Sequence, residues 1–279
     1  MKNRKNRVWR TLALLAVTLF VLLVASRCHD ARVAAATPKP AVTVLMYHHI
    51  LPQAQAGRFV GNSIVTYAEA FEKQLDFLCD NGYTTVTPAQ VEAFYVDGTP
   101  LPEKAVLITF DDGYLSNATV AYPLLKKRGM KATVFLVTGH LGDVGQTFSP
   151  RLVQMTDRET IKNTADVFTY ACHTNDLHTL CGGASALCTA SDEARAADLK
   201  QCRAAIAKIP NACTTAFAYP YGAYNDAVKA SVKASGIHIA FRASEGVATA
   251  DSDPLALPRY PMDTSVSFSR FCHYFGENG

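Results

Sequence analysis

Short unbroken apolar runs recur along this chain, each separated from the next by a longer segment that often carries helical periodicity. The runs are Val42 to Tyr47, Val106 to Phe110, Ala132 to Val137, Val167 to Cys172, Thr215 to Tyr219 and Ile237 to Phe241. A strand with one wet face alternates apolar and polar residues, whereas a strand covered on both faces reads as a continuous run, as these do. Among the helical segments, Tyr67, Phe71, Leu75 and Leu78 repeat at helical spacing and Asn81-Gly82 stops them. Ala121 to Arg128 reads as a helix closed by Gly129; Asp192 to Lys208 and Asn225 to Ala234 read as two more, the last stopped by Gly236. Strands alternating with helices predict a parallel sheet in one α/β domain. No glycine-rich dinucleotide or phosphate loop follows any run, so the pattern favours a barrel over an open sheet.

The N-terminus is of a different kind. Val8 to Ser26 is an apolar run behind the basic stretch MKNRKNR, the pattern of an export signal. A run of about 19 residues is long for a signal peptide and just enough to span a bilayer as a helix. Positive charge before it places Met1 in the cytoplasm and the body outside. Two outcomes stay open: an uncleaved membrane anchor, which the length favours, or cleavage near Ala34-Ala35-Ala36 and secretion. The chain thus divides into residues 1–40 (basic stub, apolar segment, linker) and a folded body over 41–279. Net charge is +3, but seven of the 27 Lys and Arg residues precede position 37, which leaves the remainder at −3. Such a body carries no basic footprint for nucleic acid. Export also bears on the eight cysteines. Cys181, Cys188, Cys202 and Cys213 lie in one stretch, just after Cys172, without zinc-knuckle spacing, and are expected to staple a local excursion by disulfides. Cys79 and Cys272 read equally well as reduced core residues.

Polar residues gather where the apolar runs end, and α/β folds build their sites at the C-terminal ends of strands. The clusters are Tyr47-His48-His49, Thr109-Phe110-Asp111-Asp112-Gly113-Tyr114, His173 to His178, and Ala218-Tyr219-Pro220-Tyr221-Gly222. Adjacent carboxylates such as Asp111 and Asp112 repel unless a cation or a raised pKa relieves them; the bland alternative is a helix cap. His173 and His178 end another strand within reach of one ion. Two imidazoles and a carboxylate make a three-ligand site for a borderline divalent metal, with positions left for water and substrate.

VLITFDDGY, ACHTNDLH and FAYPYGAYN together closely resemble the polysaccharide deacetylase family of carbohydrate esterases, the NodB-homology domain, in the family's order and from Val42 to Ala243. The five-residue histidine spacing and the opening VLMYHHI resemble the branch acting on poly-N-acetylglucosamine. The resemblance implies a distorted (β/α) barrel of seven or eight strands. It implies Asp111 as general base toward the hydrolytic water, and Asp112, His173 and His178 as ligands of a divalent metal, zinc first, with cobalt or nickel as alternatives. The backbone N–H of Tyr221, after Pro220, would be an oxyanion donor, and Thr174 would support the ligand loop.

Two family features are missing. Where the family carries an arginine that orients the base, this chain has Ala218; Arg259 is the candidate replacement from elsewhere in the chain. The late Leu-x-His motif that supplies the general acid is not evident. His273 is the one late candidate and His48, at the first strand's end, its rival. The expected activity is N-deacetylation of GlcNAc residues in an extracellular polymer: poly-N-acetylglucosamine, peptidoglycan or a chitin-like chain. The alternatives are an O-acetyl polysaccharide esterase, or a non-catalytic glycan-binding protein on the same barrel.

Overall fold

The computed structural model describes residues 41–277. The readings made on segment 1–40 (anchor or signal, cleavage site) lie outside the described residues. Among the described residues no helix is long and apolar enough to cross a membrane.

Each apolar run forms a strand. In chain order, β1 is Ala41–Tyr47, β2 His49–Leu51, β3 Val65–Tyr67, β4 Thr84–Thr85, β5 Ala105–Phe110, β6 Ala132–Leu136, β7 Phe168–Cys172, β8 Leu180–Cys181, β9 Ala184–Ser185, β10 Ala212–Ala218, β11 Ile239–Phe241, β12 Ala248–Thr249 and β13 Tyr260–Pro261. The main sheet runs β11-β10-β7-β6-β5-β1-β12, with β13 also on β1 and β4 on β5. All of its pairs are parallel except β1 with β12. The strands are buried on both faces. One face carries Val42, Val44, Leu107, Phe135, Ala171, Ala218 and Phe241 toward the interior of the curved sheet. The other carries Leu45, Ile108, Val134, Phe168 and Phe217 against the helices Ala68–Asp80, Tyr122–Lys127, Asp192–Ile206 and Asp226–Ala234.

The segment after β11 closes the open side. Leu257 bridges Phe241 in parallel register. The Leu257 N–H then reaches the Ala240 carbonyl (2.8 Å) and the Arg242 N–H the Leu257 carbonyl (2.9 Å). Three residues later Tyr260 pairs with Leu45 of β1. Residues 257–261 therefore cross from β11 to β1, and Arg259 lies in the crossing. The expected barrel is present as a curved parallel sheet with this irregular seam.

The sequence reading needs three corrections here. The helix expected to begin at Ala121 is preceded by a wide π turn over Asn117–Ala121, and regular helix runs only from Tyr122 to Lys127. Pro123 lacks an N–H to give the preceding turn, and the Thr119 hydroxyl bonds back to the Leu115 carbonyl at 3.1 Å, both of which loosen α geometry. A helix over Pro88–Asp97 was not anticipated. Finally, none of the described cysteines is paired, so the expected staple of Cys181 to Cys213 is absent among them. Cys172, Cys202, Cys213 and Cys272 are buried as small core hydrophobes, while Cys79 and Cys181 are exposed.

Candidate active site

The strand ends at the barrel mouth bring residues of all four clusters together. Parallel pairing of Tyr47 with Phe110 sets the register, and the Asp111 N–H extends it by donating to the Tyr47 carbonyl at 2.9 Å. The strand then breaks: Asp112 adopts φ 71° and Gly113 φ 85°. Gly113 is required twice over, since a Cβ there would lie 2.5 Å from Leu136 Cδ2. On β7 the His173 N–H continues the ladder to the Leu136 carbonyl at 2.9 Å. Thr174 (φ 79°) and Tyr221 (φ 58°) are also left-handed, so three of the five non-glycine residues of positive φ among the described residues sit at this mouth. Such conformations persist only where the surroundings over-determine them, and they concentrate at functional sites.

Asp112 Oδ1 lies 3.4 Å from His173 Nε2 and 3.1 Å from His178 Nε2. The two imidazole nitrogens are 3.1 Å apart. His173 Nδ1 donates to the Ala218 carbonyl at 2.7 Å, a contact that fixes its tautomer and leaves Nε2 as a lone pair facing Asp112. Asp112 Oδ1 is accordingly buried without a donor. Acceptor atoms crowded around one point repel each other in the absence of positive charge, and a divalent cation relieves them all. The three atoms lie within 4.8 Å of one another, so the set fits such an ion. Burial alone would raise the Asp112 pKa, but the His173 and His178 imidazoles beside it outweigh this and hold the carboxyl well below the usual range. Tyr114, a further contributor that its residue type did not announce, sends its hydroxyl to Asp112; burial first, then this acid, keep that hydroxyl protonated.

Asp111 is placed differently. Its carboxylate is 4.0 Å from His173 Nε2, outside the trio, and both its oxygens face a guanidinium. Arg259 Nη1 and Nη2 donate to Oδ1 and Oδ2 at 2.7 and 2.6 Å; Nη1 also reaches Thr109 Oγ1 at 3.2 Å, and Nε the Arg242 carbonyl at 3.1 Å. Arg259 is 0% exposed, so this bidentate pair works in a dry site. Burial pushes Asp111 up, and Arg259, then His173, bring it back below the ordinary carboxylate value. Arg259, the candidate replacement, thus reaches Asp111 from the seam. Removing a partner from a buried pair costs about 3–5 kcal/mol. Arg259→Met is therefore expected to destabilise the body by about that much, read as a lower denaturant midpoint, and to weaken catalysis through a less acidic Asp111.

His48, one residue beyond β1, is half-buried. Burial lowers its pKa, and its charge is coupled to Asp111, Asp112, Arg259 and His173, which places it at the mouth. His273 is not brought there: it is exposed on the final helix Phe268–His273, whose neighbours Phe271 and Phe268 pack on Phe77, and no side-chain hydrogen bond or ion pair joins it to the site. Pro220 is buried at the start of a short 3₁₀ turn, in which the N–H of the next residue, Tyr221, has no intrahelical carbonyl to meet. The Tyr221 ring covers His178 (centroids 5.0 Å apart) and is half exposed. Gly222 (φ 66°) keeps this turn tight against the segment that follows β11, where a Cβ would sit 2.5 Å from that of Ala243.

Comparison with known proteins follows the same outline. Residues 98–240 match the family model described as polysaccharide deacetylase. The chain is 31% identical over 239 residues to YxkH of Bacillus subtilis (strain 168), a protein carried as a candidate polysaccharide deacetylase; the match covers 85% of this chain and 77% of that one. It is 25% identical over 273 residues to a poly-β-1,6-N-acetyl-D-glucosamine N-deacetylase of Staphylococcus aureus (strain MRSA252), covering 90% and 92% of the two. Among solved structures, a Streptococcus pyogenes deacetylase, PplD, in complex with acetate superposes with TM-score 0.72 at 26% identity, over 85% of this chain and 99% of that one.

Proposed function

Because the chain belongs to the polysaccharide deacetylase family, we propose that it is a metal-dependent hydrolase removing N-acetyl groups from GlcNAc residues of a polymer outside the cytoplasm. The observation that carries the reading is the pairing of an acceptor trio (Asp112, His173, His178) with a separate aspartate clamped by Arg259, at the mouth of the barrel. Among candidate polymers, the relationship to a poly-β-1,6-N-acetyl-D-glucosamine N-deacetylase over 90% of the chain favours that β-1,6-linked substrate.

Asp112, His173 and His178 would hold the divalent ion, with zinc the best match to two nitrogens and one oxygen, and cobalt or nickel as substitutes. When bound, such an ion polarises an acetamide carbonyl and acidifies water at neutral pH. Asp111 accepts the proton of the attacking water at a carboxylate oxygen; the two Arg259 bonds leave it lone pairs for this, keep it ionised and fix its direction. The Tyr221 N–H donates to the oxygen that gains charge as the carbonyl becomes tetrahedral. The Tyr221 ring, half exposed over His178, shields the site from water and offers a flat face to a sugar.

Of the two histidine candidates we assign to His48, the one whose charge is coupled to the site, the proton delivered to the departing amine; burial disfavours its charged form, so it takes up that proton during turnover rather than holding it at rest. A general acid contributes about 10²–10⁴-fold. His48→Gln is expected to lower kcat within that range while His273→Gln changes nothing; equal rates for both variants and the parent would remove His48 from the reaction.

The reading as a whole is tested by acetate release from a β-1,6-linked GlcNAc oligomer with metal content measured on the same sample. Metal and acetate together support it, and an acetate-free digest with a fully loaded site would turn it into a glycan-binding protein. Location is a separate proposal, supported by the basic flank and apolar run of Val8 to Ser26. Protease added to intact cells is expected to digest the body; protection until lysis would place it inside.

A further inference from the structure

Four residues, Thr174 to Leu177, separate the two imidazoles of the trio, and a free loop of that length would leave His178 many positions to occupy. The barrel side of the loop is held by backbone: Thr138 and Gly139 donate to the carbonyls of Thr174 and Asn175 at 3.1 and 2.8 Å. On the other side three successive peptide N–H groups go to one carboxylate, while side-chain contacts from Thr138 to Asn175 (2.9 Å), His140 to Asp176 (2.9 Å) and the Tyr221 hydroxyl to the His178 carbonyl (3.3 Å) add to the hold. Asp198 Oδ2 accepts the Asn175 N–H at 2.8 Å, and Oδ1 accepts those of Asp176 and Leu177 at 2.7 and 3.0 Å. The His178 N–H in turn bonds the Asp176 carbonyl at 2.8 Å, so the peptide that Asp198 grips is the one on which His178 is built.

Asp198 belongs to the helix Asp192–Ile206 and is 7% exposed, on the face shared with Leu199, Cys202 and Ile206. A carboxylate on a core-facing stripe is costly to bury unless strong donors replace its water. Three charge-assisted bonds from successive peptide groups do so, and their directions fit a carboxylate better than any neutral side chain. Nearby, Gln201 accepts only the Asn175 side-chain amide, at 3.1 Å.

We infer that Asp198 is a positioning residue for the metal centre: it locks the loop so that His178 Nε2 meets Asp112 and His173 before an ion arrives, without itself touching ion or substrate. The inference rests on reading Asp112, His173 and His178 as ligands. It accounts for how a five-residue histidine spacing closes on one point, since the loop between the histidines is gripped by a carboxylate supplied from outside the barrel wall.

The test uses full-length protein stripped of metal. Asp198→Asn keeps the shape but turns an amide N–H₂ toward peptide donors; Asp198→Ser keeps one short acceptor. The Co²⁺ dissociation constant, measured by competition with a chelator, is expected to rise about 10–100-fold in both, the range for lost supporting contacts around a metal. The visible Co²⁺ spectrum is expected to change as His178 loses its fixed distance, a change that a merely less stable body would not produce. Parent-like affinity and spectrum in either folded variant overturn the inference. Amide hydrogen exchange in the metal-free parent decides without any substitution: Asn175, Asp176 and Leu177 should be protected, and free-loop exchange there also overturns it. A parent that binds no Co²⁺ yet protects these amides would instead condemn the ligand assignment.

Discussion

His173→Ala is expected to leave a protein that holds no metal after dialysis against a chelator and releases no measurable acetate. His173 is 1% exposed, and its ring is fixed by the 2.7 Å bond to the Ala218 carbonyl. Two ligands, one of them on a loop, then remain where three are the minimum for a catalytic ion of this class. The substitution also deletes the contact that helps hold Asp112 ionised. Metal content by mass spectrometry on the dialysed variant, with circular dichroism to establish that the barrel persists, reads the outcome. Stoichiometric retention of the ion would remove His173 from the ligand set.

What the sequence made legible follows from where the free energy lies. The core strands of the barrel are covered on both faces, so their residues carry no compromise with solvent and read directly as apolar runs. The helix Pro88–Asp97 escaped because only Pro88 and Val91 of it are buried, which leaves no periodic stripe to detect. Its ends were nevertheless written in the chain: Thr87 and Gln90 form a capping box and Gly98 closes it in left-handed geometry. The trio of Asp112, His173 and His178 was readable because each sits at or just past the end of a recognisable strand. Arg259 was nameable only as a candidate, since its approach to Asp111 depends on a seam crossing that links residues 148 positions apart. Asp198 gave a signal that went unread: it shares with Arg195, Leu199, Cys202 and Ile206 a spacing that faces the core, and a charge on such a face implies buried donors. The cysteines misled for the opposite reason. Their clustering along the chain suggested staples, yet Cys202 faces the core from its helix and Cys213 the barrel interior from β10, both as small hydrophobes.

The two aspartates, adjacent in sequence, are expected to fail in different ways. Asp112 faces the imidazoles with an oxygen that has no donor of its own, whereas Asp111 spends its contacts on Arg259. Asp111→Asn retains shape and removes basicity, so turnover should fall by about 10²–10⁴-fold, the contribution of a base. It also leaves the Arg259 charge buried without its partner, so part of the stability of the pair is lost with it. Folded fraction and metal content must therefore be measured beside the rate. The expected result is a folded, largely metal-replete, nearly inactive protein. Asp112→Asn should instead lose ion and turnover together, because a neutral amide is a far weaker ligand than a carboxylate for a divalent cation. Raising the metal concentration then separates the two cases: it should restore part of the Asp112→Asn rate and none of the Asp111→Asn rate. Emptying of the site by Asp111→Asn alone, with Asp112→Asn still active, would exchange the two roles, and full activity in both variants would reduce the pair to a helix cap.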